Sequence, residues 1–146
     1  MPAILLLPVS VIAISTLLSA CSSSPSASSA SGNTAAVTAN WTAFFKGSTP
    51  AAEKVSLLQN GSKFATFIKD QASSSTARSV SVKVKSVKFT SKSTAKVTYD
   101  ILLGGTTGLP NASGTAILQG KTWKVSDASF CALLSLESAK VSACSG

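Results

Sequence analysis

The chain has 146 residues, of which 45% are hydrophobic and only 12% are charged, with 13 Lys plus Arg against 5 Asp plus Glu. This length allows one small domain. Because the sequence contains no histidine, Ser-His-Asp or Cys-His catalysis, His-liganded zinc and pH switching by imidazole are excluded.

The first 45 residues carry no charged side chain. Residues 3–18 form an apolar run of signal-peptide length that leads into Leu18-Ser19-Ala20-Cys21. This tetrapeptide resembles a lipobox, at which bacterial lipoproteins are cleaved and acylated on the cysteine. The resemblance implies a signal peptide over residues 1–20 and a lipidated Cys21 that holds the protein on the extracytoplasmic face of the cell membrane. The alternatives are a membrane-spanning helix, and a secreted or shed protein in which Cys21 is a plain thiol.

Residues 22–34 read SSSPSASSASGNT and contain no large apolar side chain. Burial therefore offers nothing to offset the entropy of ordering this segment. We expect residues 21–34 to be a lipidated, flexible tether and residues 35–146 to be the folded domain.

The domain is expected to begin with helices. Val37, Trp41, Phe44 and Phe45 recur at helical spacing and predict a first helix that ends before Gly47.

The second and third helices are predicted from their end signals. Thr49 as N-cap and Pro50 at the first helical position predict the start of the second helix. Asn60-Gly61 supplies a residue that can adopt the left-handed backbone conformation at its end. Ser62 is expected to cap a third helix with Phe64, Phe67, Ile68 and Gln71 on its face.

After the polar segment 73–76 the apolar period changes to two, which predicts strands. Val80, Val82 and Val84 share one face of the first strand. Val87 and Phe89 stay inward only if one extra residue near Lys85 or Ser86 forms a β-bulge.

Three further strands follow in the sequence. The second contains Val97 and Tyr99, the third lies around residues 115–119, and Gly120-Lys121 turns into a fourth with Trp123. Residues 104–114, GGTTGLPNASG, are expected to be a loop. Helices followed by an antiparallel sheet predict an α+β domain with helices on one sheet face.

Cys131 and Cys144 remain once Cys21 is assigned to lipid. An even pair of cysteines in an exported domain predicts a disulfide, which here would pin the C-terminal tail against the sheet. A redox-active pair is the alternative, but the Cys-x-x-Cys spacing is missing.

Several short motifs carry a resemblance to a known family. They are Phe44-Phe45-x-Gly47, Lys54-Val55-x-Leu57-Leu58-x-Asn60-Gly61, Tyr99-Asp100-Ile101-Leu102, Gly120-x-x-Trp123-Lys124-Val125, and Ser129-Phe130-Cys131 with a later cysteine. From about residue 35 onward the chain resembles the mycobacterial low-molecular-weight secreted antigen family. The resemblance implies an exported, often immunogenic envelope protein with a nuclear-transport-factor-like or cystatin-like cone, which encloses a cavity. It implies no catalytic residues.

Aromatic side chains on inward faces are the candidate pocket residues. Tyr99 is singled out because a buried phenol needs a hydrogen-bond partner and can orient a ligand. Asp127 is the one acid placed to act as a base, although a turn or capping role is the simpler interpretation. The candidate set is Trp41, Phe45, Phe67, Tyr99, Trp123 and Asp127, and plain core packing is the alternative for its aromatic members.

A second candidate surface is basic. Six cations occur within 19 residues that contain no acid, and strand alternation assigns them to the outer sheet face: Arg78, Lys83, Lys85, Lys88, Lys92 and Lys96. They predict either a solvated edge that resists aggregation or contact with an anionic envelope component. Nucleic acid is excluded as a partner, because the stretch has one inward aromatic and the compartment is extracytoplasmic.

Taken together, these features predict a lipid-anchored envelope protein whose α+β domain is a non-enzymatic binding or interaction module. No metal or cofactor is expected, and the sequence does not indicate an oligomeric state. The alternatives are a small-molecule enzyme or a carrier of apolar ligands that uses the cone cavity, and an adhesion protein that uses the basic face.

Overall fold

A computed structural model of the chain describes residues 25–145, with side chains from residue 33 onward. The predicted signal peptide and Cys21 lie outside these residues. The helices are α1 (Pro25–Phe45), α2 (Ala51–Ser56), a 3₁₀ helix (Gly61–Phe64), α3 (Ala65–Gln71), α4 (Ser75–Ser79), α5 (Asp127–Leu136) and a second 3₁₀ helix (Ser142–Cys144). The strands are β1 (Val80–Phe89), β2 (Thr94–Leu103), β3 (Thr106–Gln119) and β4 (Thr122–Val125).

These strands form an antiparallel sheet in the order β1-β2-β3-β4. Helices precede the sheet in the chain, so the predicted α+β class is confirmed. Ala95, Val97 and Tyr99 on β2 are fully buried, as are Val37 and Trp41 on α1. The core therefore lies between α1 and one face of the sheet.

Helix α1 carries its apolar residues on the predicted face, and all four are buried. It begins at Pro25, so residues 25–34, expected to be a tether, continue the helix. Once packed turns have nucleated a helix, each added residue gains a hydrogen bond at little cost, and proline suits a first helical position. The Asn40 amide donates to the Trp123 carbonyl at 2.9 Å and ties α1 to β4.

The expected caps of the next two helices are wrong by one or two residues. Pro50 is the N-cap of α2, because its carbonyl accepts from Lys54 N and its ψ of 143° is extended. Thr49 thus lies one residue too early. Ser62 lies inside the 3₁₀ helix, and α3 follows Phe64 without a side-chain cap. Asn60 adopts the left-handed conformation (φ 52°), as predicted.

The polar segment before β1 also contains a short helix that the sequence did not lead us to predict. Ser74 caps α4 by accepting from Ala77 N at 3.4 Å. Helix α4 then leads directly into β1.

Strand β1 has the predicted bulge. Val84 pairs with Tyr99 and Ser86 pairs with Thr98, so Lys85 is the extra residue. The bulge keeps the apolar residues on both sides of it directed inward.

Strand β3 is longer than expected, because only Gly104 and Gly105 form the turn that precedes it. The predicted loop over residues 104–114 is therefore wrong. The long partner β2 supplies hydrogen bonds to most of this segment, and Pro110, which has no N–H to donate, falls at a register irregularity. At that irregularity the Asp100 carboxylate accepts from Asn111 N at 2.7 Å.

Helix α5 was not predicted from the sequence. Ser126 is its N-cap and accepts from Ser129 N at 3.1 Å. The predicted disulfide between Cys131 and Cys144 is present, with the two Cα atoms 5.6 Å apart. It joins α5 to the C-terminal 3₁₀ helix, so it fastens the tail to a helix and not to the sheet.

Candidate functional site: an apolar cleft

A cavity of about 400 Å³ lies where the helices meet the ends of the strands. Its wall includes the last turn of α1, parts of α2, α3 and α4, the ends of β1, β2 and β3, and one face of α5. The side chains of Phe130, Leu133 and Leu134 project into it from α5 at helical spacing.

Aromatic rings build one wall of this cleft. Phe130 packs edge-on against Phe44 and Phe64, each with ring centroids 5.4 Å apart, and against Phe67 at 6.2 Å. This geometry is favourable for aromatic pairs. The cluster fixes α5 against α1 and α3, and Phe44, Phe67 and Phe130 are also lining residues.

Two exposed apolar side chains also belong to the cleft. Leu103 is 45% exposed and Leu136 is 71% exposed, and both line the same cavity. They are the exposed large hydrophobic side chains of the part of the chain that the structure describes. Exposed apolar side chains at a concave site are typical of ligand or partner binding.

Two charged residues of the described part of the chain line the cleft, Lys54 on α2 and Glu137 after α5. Lys54 is half-buried, whereas Glu137 is exposed. Burial lowers the pKa of Lys54 below its usual range, because desolvation penalises the ammonium. Within residues 33–145 the ion pair found is that of Lys85 with Asp100, at 3.7 Å, so Lys54 and Glu137 do not pair.

The structure separates the predicted pocket residues into three places. Phe45 and Phe67 line the cleft. Trp41, Tyr99 and Trp123 are buried in the core between α1 and the sheet and do not line it. Core packing, the alternative given for the aromatic candidates, therefore describes these three residues, and the open space lies at the strand ends.

Asp127, the remaining predicted pocket residue, lies in the third place, at the start of α5. Its two carboxylate oxygens accept from Asn60 Nδ2 at 2.7 Å and from Ala128 N at 2.7 Å. It also stands in the first turn of the helix, where a negative charge is stabilising. These contacts agree with the simpler capping interpretation of Asp127.

Tyr99 is fully buried and packs against Trp41 and Phe45, with ring centroids 5.2 and 5.4 Å away. Its hydroxyl and the Trp41 indole N–H have no hydrogen-bond partner among the described residues. Burial raises the pKa of Tyr99 to about 12. No residue of the described chain thus serves as the expected partner for the phenol, and the side chain is part of the core.

The basic residues divide by element. Lys83, Lys85 and Lys88 lie on the edge strand β1, and Lys88 pairs directly with Lys96 on β2. Lys92 lies in the turn between these strands, so its assignment to the sheet face is wrong. Arg78 belongs to α4, where its guanidinium donates to the Ala72 carbonyl at 3.2 Å, so its assignment to the sheet face is wrong. Contact with an anionic partner stays a prediction.

Sequence reasoning missed the α5 wall and Lys54. A signal for α5 was present, because Ser126 and Asp127 precede apolar residues at helical spacing.

Among residues 25–145 no group of three or more His, Cys, Asp or Glu could hold a metal ion. Over the same residues, none of the helices has the length and hydropathy needed to cross a bilayer.

Comparison with protein families gives a match over most of the chain. The sequence profile of the low molecular weight antigen MTB12, C-terminal domain, matches residues 30–141. The chain belongs to this family. The family takes its name from a low molecular weight antigen. The matched residues include most of α1, all four strands and α5, so the cleft lies within the MTB12 C-terminal domain. A search of the curated proteins found no significant match.

Proposed function

We propose that this MTB12-family domain is a non-enzymatic binding module that takes the apolar part of a ligand into the cleft between α5, the short helices and the strand ends. The observation that carries the proposal is the pair of exposed leucines, Leu103 and Leu136, on the rim of one 400 Å³ cavity. Ligand sites are typically concave, mostly apolar and about 300–1,000 Å³ in volume.

Burial energetics favour occupancy of this cleft. Removing apolar surface from water is favourable by about 25 cal/mol of free energy per Å². An inserted alkyl or ring group would cover both leucines and the aromatic wall, and its binding would be stabilised by this burial. The aromatic cluster around Phe130 holds the wall in place without a ligand, so little ordering cost opposes binding.

The polar candidates for catalysis do not contribute to the cleft. The Tyr99 hydroxyl is buried in the core, and the Asp127 carboxylate is hydrogen-bonded to Asn60 and to Ala128 N. Neither residue lines the cavity. This placement supports binding over chemistry.

A thermal-shift titration with long-chain alkyl ligands tests the binding proposal. We expect the melting temperature to rise by several degrees at saturation, because a ligand that binds only the folded state stabilises it. Ala77 lines the cleft, so Ala77→Trp should abolish the rise.

Ala52 provides the matched control, because it is also an alanine on a short helix. It is exposed on α2 and does not line the cleft, so Ala52→Trp should leave the rise intact. If no apolar ligand stabilises the wild-type domain, the cleft is not a binding site.

The proposal includes a lipid anchor on Cys21, supported by the Leu18-Ser19-Ala20-Cys21 motif. Because α1 begins at Pro25, only residues 22–24 separate the acylated cysteine from the helix. The domain would then lie close to the membrane surface. Mass spectrometry of the mature N-terminal peptide should show a diacylglyceryl mass on Cys21, and an unmodified thiol would refute the anchor.

A further inference from the structure

Among the described residues, Lys54 is the only cation on the wall of the cleft. It lies on α2, next to a cavity whose other lining is largely apolar, and it is half-buried. Its ammonium makes neither an ion pair nor a hydrogen bond to any residue in the described part of the chain. A desolvated charge of this kind lacks compensation from the protein.

The other charged lining residue does not cancel it. Glu137 is exposed after the end of α5, where water and salt screen its carboxylate. Lys54 is screened less, because part of its surface is out of water. Of the two charges on the wall, that of Lys54 therefore acts more strongly on a ligand inside the cleft.

We propose that the cleft selects an anionic amphiphile, with its alkyl chain against the aromatic and leucine wall and its single anionic head beside the Lys54 ammonium. This inference rests on the proposed function and adds the class of ligand. A carboxylate and a phosphate monoester share the required chemistry, since both present oxygens that accept charge-assisted hydrogen bonds.

The partial desolvation of Lys54 agrees with an anionic head group bound beside its ammonium. Burial has already removed part of its hydration shell, and this loss lowers its pKa. An anionic head would replace the lost water with a charge of opposite sign. The binding energy is then gained at a group that the fold has already partly desolvated.

The experiment compares ligands that differ only in the head group. Binding to the folded protein is measured by calorimetry for an alkyl carboxylate, an alkyl phosphate and the primary alcohol of the same chain length. For the wild-type protein we expect the anions to bind about tenfold more tightly than the alcohol, the size typical of one hydrogen bond to a charged group. The ratio between the two anions distinguishes a fatty-acid-like head from a phosphate head.

Four variants test whether Lys54 causes the preference for anionic head groups. Lys54→Gln should remove the advantage of the anions over the alcohol, and Lys54→Arg should keep most of this advantage. Glu137→Gln should strengthen anion binding modestly. Lys63→Gln changes an exposed lysine of the 3₁₀ helix that does not line the cleft, and it should have no effect beyond a small salt-dependent one.

The outcomes are separable. If the wild-type protein binds the alcohol and the anions equally, or if Lys54→Gln keeps the anion preference, the assignment to Lys54 is wrong while the cleft remains a binding site. If none of the three ligands binds, the proposed function fails together with this inference. Melting temperatures without ligand show whether each variant is folded.

Discussion

Tyr99 shows how far a single residue can be understood from the sequence. Strand alternation placed it on the buried face of β2, and it is fully buried there. The sequence could not show that Trp41 and Phe45 would pack on its ring and leave the hydroxyl without a partner among the described residues. The need for glycine at position 114 could not be read from the sequence either. A Cβ there would stand 2.8 Å from the ring of Trp41, which is remote in sequence.

The unpaired hydroxyl leads to a stability prediction. Tyr99→Phe removes a buried polar group that gains no hydrogen bond from the described residues, so we expect the free energy of unfolding to stay equal or to rise by up to about 1 kcal/mol. Urea denaturation measures this change. A loss of more than about 1 kcal/mol would mean that the hydroxyl is satisfied in solution.

The raised pKa of Tyr99 predicts a loss of stability in alkali. With a pKa of about 12 in the folded state and the usual 10.0 for an exposed phenol, the unfolded chain loses the proton first as the pH rises. The folded state binds more protons between these two values, so stability is complete below pH 10 and falls from pH 10 to 12.

This dependence can be isolated, because the sequence has one tyrosine. The phenolate absorbance of the folded protein should titrate near pH 12, and Tyr99→Phe should lose stability less steeply over the same interval than the wild type. Titration of the folded protein at pH 10 would contradict full burial of the ring.

Elements were predictable where their signals were local. The bulge in β1 followed from the shift in parity between Val84 and Val87, and the helical face of α1 followed from apolar spacing. The extent of β3 depends instead on pairing with β2, which overrides the glycines and Pro110 of that segment. Helix α5 stands beside β3, where the Ser126 amide donates to the Thr115 carbonyl at 2.9 Å, and this neighbour is remote in sequence.

The position of β1 in the sheet bears on the role of its lysines. Strand β1 is an edge of the sheet and ten residues long, so its free side could pair with another chain. The exposed Lys83, Lys85 and Lys88 and the bulge favour the interpretation that this edge is protected against such pairing.

The disulfide carries a prediction about α5. Replacing both Cys131 and Cys144 with serine should lower the free energy of unfolding by about 3 kcal/mol, because the bond closes a short loop in the unfolded chain. Denaturant curves of the variant and of the wild type measure this difference. Since α5 supplies Phe130, Leu133 and Leu134 to the cleft, affinity for an alkyl ligand should fall in the same variant.

A result in which stability falls but affinity is unchanged would show that the aromatic packing of Phe130 holds α5 without the disulfide. Equal stability of the two proteins would contradict the entropic account of the bond.

At the scale of the whole molecule, the sequence predicted the architecture better than the cavity. Helices before an antiparallel sheet gave the α+β class, and the MTB12-family match covers the same domain. Inward aromatics suggested a pocket lined by Trp41, Tyr99 and Trp123 among others, but these three side chains are packed in the core. Apolar faces can be identified from periodicity, whereas the face left uncovered depends on how the elements pack.

The central claim is that an apolar chain occupies the cleft at the end of the sheet. Photo-crosslinking with an alkyl carboxylate that carries a diazirine in its chain, followed by peptide mapping, tests its position most directly. We expect adducts on the last turn of α1, on α3 and α4, and on α5 around Phe130 and Leu136, all of which are competed away by unlabelled ligand. Adducts confined to the lysine-bearing strands β1 and β2 around Lys88 and Lys96, or no competition, would contradict the claim.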